Sequence, residues 1–343
     1  MGFTGKLPPE VLESIVYRRL GLRDPAVAVG PSYGEDAAVI EAGWGRVIVA
    51  HSDPVTAAER YAGWLAVNVA ANDVAAQGAR PRWLLMVILL PEDSGPRLLE
   101  EIASQADRAA RGIGAMIVGG HTEAAPGLGR PIVVATAMGL APRESVARTS
   151  GARPGDLVIM TKTAAVEGTA ILASDYRGEL ARRGVPRDVL ARAEGFIWRV
   201  SVVPEALALA GRGLVDAMHD PTEGGILGGA AEMAYASGVR VRLYEDRVPV
   251  APETRVVAGA LGVDPLRLIS SGSLLAAVPR GLAGEALEAL GGLGVNAAVV
   301  GEVLDSGRAG LELVRRDGSR VEVPRHVPDE IYRLPPPGEG GGA

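Results

Sequence analysis

The chain has 343 residues, of which 48% are hydrophobic and 22% charged, and its net charge is −6. This length suffices for about two globular domains, and the acidic balance argues against a basic nucleic-acid binder. None of the residues is cysteine, which excludes disulfides, thiolate zinc sites and cysteine nucleophiles within this sequence. There is no signal-peptide pattern, and the longest apolar run, residues 83–90, is too short to span a bilayer. We therefore expect a cytoplasmic protein that binds neither membranes nor nucleic acid.

Apolar periodicity and turn residues predict the elements of the first half of the chain. A helix over residues 7–20 begins at paired prolines and ends before Gly21. A long Ala-rich helix ends before Gly78, and the continuous apolar run that follows it is typical of a strand covered on both faces. The predicted strands are 37–40, 46–50, 83–89, 115–118 and 132–138, and the predicted long helices are 57–77 and 96–111.

Turn-forming residues cluster at 150–155, between two apolar strands, and predict a domain boundary there. The predicted domains are therefore 1–150 and 151–334, followed by a Pro- and Gly-rich tail, 335–343, that is expected to be disordered. In the second half the predicted strands are 157–160, 217–218, 239–243, 273–278, 297–303, 311–314 and 321–323, and the predicted helices are 168–177, 187–193, 203–211 and 224–237. This mixture of elements indicates an α/β or α+β fold with mixed sheets.

Three aspartates are candidate ligands of a divalent cation. Asp36 precedes a predicted strand and Asp53 follows one, and Mg²⁺ prefers such carboxylate oxygens, although a single Asp at a strand end is more often a turn former. Asp73 lies inside an apolar helix, where a buried carboxylate without a partner costs several kcal/mol. The alternative is that Asp73 lies on a solvated helix face together with Asn68 and Asn72. Such faces usually carry Lys, Glu and Arg instead, which favours a functional role.

Two glycine-rich stretches are candidate phosphate sites. Gly119 and Gly120 follow the predicted strand 115–118, and paired glycines allow a phosphate to approach the backbone closely. The stretch D-P-T-E-G-G at residues 220–225 opens a helix, whose first N–H groups favour anions, although an ordinary helix cap explains it equally well. Neither a Walker loop nor a Rossmann fingerprint is present, which makes a P-loop kinase or a Rossmann dehydrogenase improbable.

Basic residues give weaker signals. Lys6 and Lys162 are the only lysines in an arginine-rich sequence, which indicates a need for a compact ammonium group at position 162, and chance explains its identity equally well. The four histidines lack zinc spacing. His51 and His219 lie near candidate acids and are interpreted as structural or substrate-orienting residues.

The order of these motifs resembles the aminoimidazole ribonucleotide (AIR) synthetase superfamily, which has the PurM-like fold. The sequence shows G-x-D-A-A, S-D, N-D-x-A-A-x-G-A-x-P, G-G-x-T, D-P-T-x-G-G and a late G-E-V in one fixed order over residues 30–303. Within this group the likeness is strongest to the hydrogenase maturation factor HypE and to HypE-like archaeal proteins. The stretches that carry it are residues 167–173, 220–225 and 261–266.

The resemblance implies two domains with ATP and Mg²⁺ in the cleft between them. It implies an N-terminal mixed sheet that forms a β-barrel with a second copy, hence a homodimer, and a C-terminal α/β sandwich. By position, the implied metal ligands are Asp36, Asp53 and Asp73, and the implied catalytic residues are Asp53, Asp73 and Lys162. The implied cofactor-binding residues are Gly34, Asp36, Asn72, Gly119, Gly120, Asp220, Thr222, Gly224 and Gly225.

The sequence departs from the family in two places. His121 stands where some relatives have an acid, which leaves its part in metal binding open. HypE proper ends in a cysteine whose carboxamide is dehydrated, and this sequence has no cysteine, so that reaction on itself is not expected.

The expected function is that of a HypE-like enzyme that activates an amide, carbonyl or phosphate oxygen of an unidentified small-molecule or protein acceptor. The alternatives are an ATP-binding hydrogenase-maturation scaffold without turnover and a kinase of the thiamine-monophosphate kinase type. The sequence does not decide whether a partner supplies a thiol.

Overall fold

A computed structural model describes residues 5–56, 58, 60–305 and 307–335 of the chain. It consists of two mixed sheets and the helices that cover them. The chain begins with a short helix, Pro9–Val11 (α1), which continues into a π-helical turn, Leu12–Val16. The predicted helix over 7–20 is therefore much shorter in the structure. None of the described helices has the length and apolarity needed to cross a membrane.

The first sheet has six strands in the order β1-β2-β3-β6-β4-β5. All neighbours are antiparallel except β4 and β5, which are parallel. The strands are Val27–Val29 (β1), Ala38–Gly43 (β2), Arg46–Val55 (β3), Arg80–Leu90 (β4), Met116–Ala124 (β5) and Ile132–Pro142 (β6). Ala62–Ala76 (α2) and Pro96–Ile113 (α3) share one core with these strands. Alternate residues of β3 and β6 are buried, as expected for a sheet with one face in the core.

The second sheet has seven strands in the order β13-β12-β9-β11-β7-β10-β8. Its strands are Leu157–Thr161 (β7), Ala217–His219 (β8), Arg240–Tyr244 (β9), Leu275–Val278 (β10), Ala297–Leu304 (β11), Gly310–Val314 (β12) and Arg320–Val323 (β13). The helices of this half are Val166–Asp175 (α4), Arg177–Arg182 (α5), Arg187–Glu194 (α6), Val203–Gly211 (α7), Gly225–Ala236 (α8), Pro252–Leu261 (α9) and Ala283–Gly292 (α10). Residues of α8 pack in one core of this sheet, and residues of α7 and α10 pack in another. Every residue of β8 and β10 is buried, because the sheet is covered on both faces.

Helix α2 connects the two halves. It is almost completely buried, and residues from its different faces belong to the cores of both sheets. The Asn72 side chain adds a polar link, since its Nδ2 donates to the carbonyl oxygen of Val200 at 2.8 Å and its Oδ1 accepts from the N–H of Val202 at 2.8 Å. The Ala-rich sequence of α2 follows from this position, because small side chains let two layers approach one helix closely.

The β5 strand corrects one expectation. The two glycines do not follow a strand but lie inside β5, where Leu85 pairs with Gly119 and Met86 with Gly120 across an irregular register. Gly120 has φ 147°, and a Cβ atom there would lie 1.7 Å from the carbonyl oxygen of Met86. Close strand pairing at an irregular register therefore accounts for this glycine.

The mixed two-sheet α/β fold is confirmed, but no closed barrel is formed by the described residues. In this chain β1 and β5 are the open edges of the first sheet. The pairing of two copies into a barrel and the domain boundary at 150 remain predictions. The expected disordered tail begins at Pro335, whose carbonyl oxygen accepts a hydrogen bond from Tyr176 at 3.0 Å. Its remaining residues, 336–343, lie outside the described part of the chain.

Candidate functional site

A cavity of about 650 Å³ lies beside the candidate residues, between the two halves. Four aspartates line it although they are distant in sequence. Asp36 comes from the loop before β2, Asp53 from the end of β3, Asp73 from α2, and Asp220 from the residue after β8. The structure thus brings together the three acids predicted as metal ligands and adds a fourth from the other half. The volume lies within the range typical of small-ligand sites.

Three groups in this cavity are close enough to bind one cation. Single ligand atoms of His51, Asp53 and Asp73 lie within 4.8 Å of one another. The His51 Nε2 atom is 3.3 Å from Oδ2 of Asp73. Burial lowers the pKa of His51, although Asp36 opposes this, so the ring favours the neutral form that can bind a metal. His51, interpreted from the sequence as a structural or substrate-orienting residue, is therefore a candidate cation ligand beside Asp53 and Asp73.

The protonation of the acids reflects their crowding. Burial raises the pKa of Asp73 well above its ordinary value, and the carboxylates of Asp36, Asp220 and Asp53 raise it further. Burial, assisted by Glu223, raises the pKa of Asp53 to about 7. Like charges held together in a buried site repel one another unless a counter-ion is present. The cluster is therefore suited to bind cations.

The unsatisfied oxygens of the cluster support the same conclusion. Among the described residues, Oδ2 of Asp36 is buried without a hydrogen-bond partner, and the Asp220 oxygens have no hydrogen bond of ordinary length, although the nearby Asn72 amide opposes the rise that burial causes in the pKa of Asp220. An unpaired buried polar group costs about 1–3 kcal/mol, and more when it is charged. Hard oxygen donors of this kind match Mg²⁺. The acids fit magnesium: Asp53 and Asp73 are candidate ligands in the group that lies close enough to share one ion, and Asp36 and Asp220 are further candidates in the same cavity wall.

A buried charge network holds Asp36 in place. The Nδ1 atom of His219 lies 2.5 Å from Oδ1 of Asp36, and its Nε2 lies 3.0 Å from Oε2 of Glu232 on α8. Glu232 also pairs with Lys6 of the N-terminal segment, which lines the cavity. Burial disfavours the protonated form of His219. The carboxylates of Asp36 and Glu232 outweigh the effect of burial and raise the pKa of His219 to about 10. Burial likewise opposes ionisation of Glu232, but Lys6 and His219 lower its pKa to about 2.

The glycines at the start of α8 have packing roles that the sequence interpretation missed. A Cβ atom on Gly224 would lie 2.5 Å from the carbonyl oxygen of Val327, and one on Gly225 would lie 2.7 Å from that of Leu266. The Gly224 N–H donates to Asp329 at 2.8 Å. The Gly225 N–H donates to the carbonyl oxygen of Thr222 at 3.1 Å. Both amides already have acceptors, which corrects the expectation that they face phosphate.

Three other expected cofactor-binding residues lie outside the cavity. Gly119 and Gly120, with His121, line a separate cavity of about 280 Å³ beside β5. Asn72 is absent from the cavity wall and makes the contacts between the two halves described above. Gly34 and Thr222, in contrast, line the cavity as expected.

Lys162 is enclosed rather than free to contact phosphate. Its Nζ lies 2.6 Å from Oε1 of Glu205 and donates to the carbonyl oxygens of Ser201 at 2.6 Å and Gly272 at 2.8 Å. These contacts use all three donors of the ammonium group. Lys162 is therefore a structural cation in this arrangement, which corrects its expected catalytic role. Among the described residues, the lysine and arginine side chains that line the cavity are instead Lys6 and Arg130.

Comparison with known proteins agrees with this architecture. Residues 34–141 match the AIR synthase related protein N-terminal domain, and residues 153–314 match its C-terminal domain. The chain belongs to the AIR synthase related family. The resemblance inferred from the order of the motifs is thereby confirmed, because the two matches cover most of the chain.

Named relatives within this family include HypE proteins. The chain is 28% identical over 306 residues to a putative hydrogenase expression/formation protein of Methanocaldococcus jannaschii, covering 88% of each. It is 31% identical to the carbamoyl dehydratase HypE of Cupriavidus necator, covering 79% of this chain and 76% of that protein. It is 29% identical to the selenide, water dikinase of Myxococcus xanthus, covering 91% of this chain and 94% of that protein. The expectation of an enzyme of this family is confirmed by relatives named as a dehydratase and a dikinase.

Solved structures of relatives show the same fold. HypE in a complex with HypF aligns with a TM-score of 0.74 at 23% identity, covering 92% of this chain and 99% of that one. HypE in complex with ATP aligns with a TM-score of 0.70 at 25% identity, covering 92% of this chain and 93% of that one. The family fold, including its division into two matched parts, therefore applies to this chain.

Proposed function

We propose that this protein is a HypE-like enzyme that uses ATP and Mg²⁺ to phosphorylate an amide, carbonyl or phosphate oxygen of an acceptor. The observation that carries the proposal is the convergence of Asp36, Asp53, Asp73 and Asp220 on one cavity. The relative of known structure that is described in complex with ATP supports ATP as the ligand. Oxygen donors without other partners support Mg²⁺ as the cation.

Phosphoryl transfer depends mainly on positioning and on charge stabilisation, and the cavity residues are suited to both. Mg²⁺, when bound, supplies positive charge that offsets the triphosphate. His219 holds one oxygen of Asp36 and leaves Oδ2 for a ligand. Lys6 lies in the cavity wall and can contact an anionic group if it exchanges its partner Glu232. The half-buried hydroxyl of Thr222 lies beside these charges.

The edge strand β5 supports a homodimer. Nearly all of its residues are exposed, and the exposed fraction is 67% for Met116 and 46% for Val118. An edge strand with apolar exposed residues readily pairs with another chain. A second copy that covers β5 would also bring Gly119 and Gly120 to an interface. Light scattering on the wild type and on Met116→Lys tests this, and a monomeric wild type would contradict it.

A scaffold that binds ATP without turnover is the second candidate, because no cysteine is present in the sequence to carry a carboxamide. Incubation with ATP and Mg²⁺ followed by product analysis separates the two. We expect ADP from the wild type and none from Asp73→Asn, which leaves the helix intact. Nucleotide binding without ADP formation, in the presence of candidate acceptors, would favour the scaffold. Thiamine monophosphate as an added acceptor tests the kinase alternative in the same assay.

A further inference from the structure

Three aromatic side chains form an exposed cluster at the start of α2, apart from the cavity. The ring of Trp198, in the 3-10 turn Gly195–Arg199, meets the Tyr61 ring at 6.1 Å and the Trp64 ring at 4.8 Å, edge to face in both cases. Trp198 is 52% exposed, and none of the three side chains lines the main cavity. Only 4% of the chain is aromatic, so a cluster that gathers two of its four tryptophans at one surface requires an explanation.

Hydrogen bonds hold these rings in fixed positions. The Trp64 Nε1–H donates to the carbonyl oxygen of Ile197 at 2.8 Å, and the Tyr61 hydroxyl donates to Oε1 of Glu194 at 2.8 Å. The two residues before Trp198 in the turn are buried, which anchors the turn while its tryptophan stays at the surface. A partner that packs against rings already fixed in this way loses less conformational entropy on binding.

Arginine side chains surround the cluster. The guanidinium of Arg108, on α3, lies 5.9 Å from the centre of the exposed indole ring, and the exposed Arg199 directly follows that tryptophan in the chain. Arg60 and Arg177 both pair with Glu194. Neither Arg108 nor Arg199 makes an ion pair with any residue that the structure describes. The arginines outnumber the acid that pairs with them, so this surface is positive although the chain has a net charge of −6.

The residue types at this surface are those that contribute most to binding at protein interfaces. Trp, Tyr and Arg dominate the binding energy of such interfaces, and the aromatic members combine a large apolar area with a polar end. Trp44 offers a comparison within the chain, since it is 100% exposed at the turn between β2 and β3. It has no neighbouring ring or arginine among the described residues, and a single exposed side chain of this kind needs no partner to explain it.

The charge of the surface selects the kind of partner. Guanidinium groups bind carboxylates through paired hydrogen bonds, and Arg108 and Arg199 are not engaged in ion pairs. An aromatic side chain of the partner would cover the accessible part of the Trp198 ring. Nucleic acid is a poorer match, because it is bound along basic grooves with many phosphate contacts, and this chain is acidic overall.

We propose that Tyr61, Trp64, Arg108, Trp198 and Arg199, the tryptophan surface, form a docking surface for an acidic, aromatic-bearing segment of a partner protein. The aromatic side chain of that segment packs on Trp198, and its carboxylates accept hydrogen bonds from the two arginines. Docking of the partner does not depend on the proposed phosphoryl transfer, since the tryptophan surface and the main cavity share no residue.

Selection of peptides from a random library on the immobilised full chain tests the proposal. Trp198→Ala, immobilised in the same way, serves for counter-selection. We expect the peptides that only the wild type retains to be acidic and to contain an aromatic residue. Enrichment of basic or uncharged peptides, or the absence of any peptide that distinguishes the two proteins, would overturn the proposal.

Fluorescence anisotropy of the most enriched peptide then measures its affinity. Trp198→Ala and Arg108→Glu should each weaken binding about tenfold or more, whereas Trp44→Ala should leave the affinity within about twofold of the wild type. Arg108 is exposed on α3, so Arg108→Glu keeps the fold and tests the surface even if Trp198→Ala lowers stability. Equal affinities of the wild type and Arg108→Glu would contradict the role of charge.

Two further measurements distinguish other occupants of the tryptophan surface. Oligothymidylate that binds the wild type more tightly than Trp198→Ala would assign the surface to nucleic acid. A larger assembly for the wild type than for Trp198→Ala in light scattering would assign it to a second copy of this chain. Either result would refute docking of an acidic segment. Nucleotide binding and ADP formation should be the same in Trp198→Ala as in the wild type, so the proposed function stands or fails separately.

Discussion

Neutralising Asp53 should stabilise the metal-free protein and abolish its response to magnesium. The pKa of Asp53 is raised from 3.8 to about 7 by burial and by Glu223. An acid with a raised pKa in the folded state destabilises that state once the unfolded chain ionises. The stability of the wild type should therefore fall as the pH rises from about 4 to about 7 and should stay lower above that.

The size of the effect follows from the shift. A rise from 3.8 to about 7, at about 1.4 kcal/mol per pKa unit, corresponds to about 4 kcal/mol. In a chelator-containing buffer, the free energy of unfolding of Asp53→Asn should therefore exceed that of the wild type. The expected difference is up to about 4 kcal/mol near pH 8 and roughly 2 kcal/mol near pH 5. Relaxation of the surrounding residues and entry of water make these values upper limits.

Urea unfolding at these two pH values, with and without Mg²⁺, measures the effect. Added Mg²⁺ should stabilise the wild type and have little effect on Asp53→Asn, because binding to the folded state alone raises stability. Asp93→Asn is the matched control, since Asp93 is exposed and outside the cavity. If Asp53→Asn and the wild type share both the pH dependence and the magnesium response, Asp53 does not belong to a repulsive cation site.

Further predictions concern the structural residues around the cavity. Lys162→Met should cost about 3–5 kcal/mol in urea unfolding, because it leaves Glu205 buried and uncompensated, and adding Glu205→Gln should recover much of this. Gly225→Ala should cost about 1–3 kcal/mol more than Gly262→Ala, because both glycines have positive φ but only Gly225 has atoms close to a new Cβ; equal melting temperatures would contradict this. Asn72→Ala should cost about 2–4 kcal/mol through two unpaired backbone groups, and a loss below about 1 kcal/mol would show that water replaces the amide.

The sequence predicts those site residues whose side chains are energetically unfavourable in their own segment of the chain. Asp73 is an acid in an apolar helix, and that conflict identified it before any contact was known. The same signal was present for Glu232 in α8 and for Glu167 in α4, both of which are buried acids among small apolar residues. The family resemblance supplied the two-domain fold.

Long-range packing decided what the sequence could not predict. The resemblance implies a catalytic role for Lys162, but its partner Glu205 is 43 positions away along the chain and only folding brings the two together. The sequence around Gly120 fits a phosphate loop equally well, because no local feature shows that β4 lies against this glycine. The strand β1 and the helices α9 and α10 were missed, although they are ordinary elements. Glycine identity alone does not separate close backbone packing from ligand approach.

The position of α2 in both hydrophobic cores has a consequence for how ligands enter. A helix shared in this way resists any hinge motion that would open the space between the sheets, since opening would expose apolar surface on one side of it. The N-terminal residues are held at the rim by two ion pairs, Lys6 with Glu232 and Glu13 with Arg325. Ligand exchange would then occur by detachment of that short segment, while the two sheets melt together as one cooperative unit.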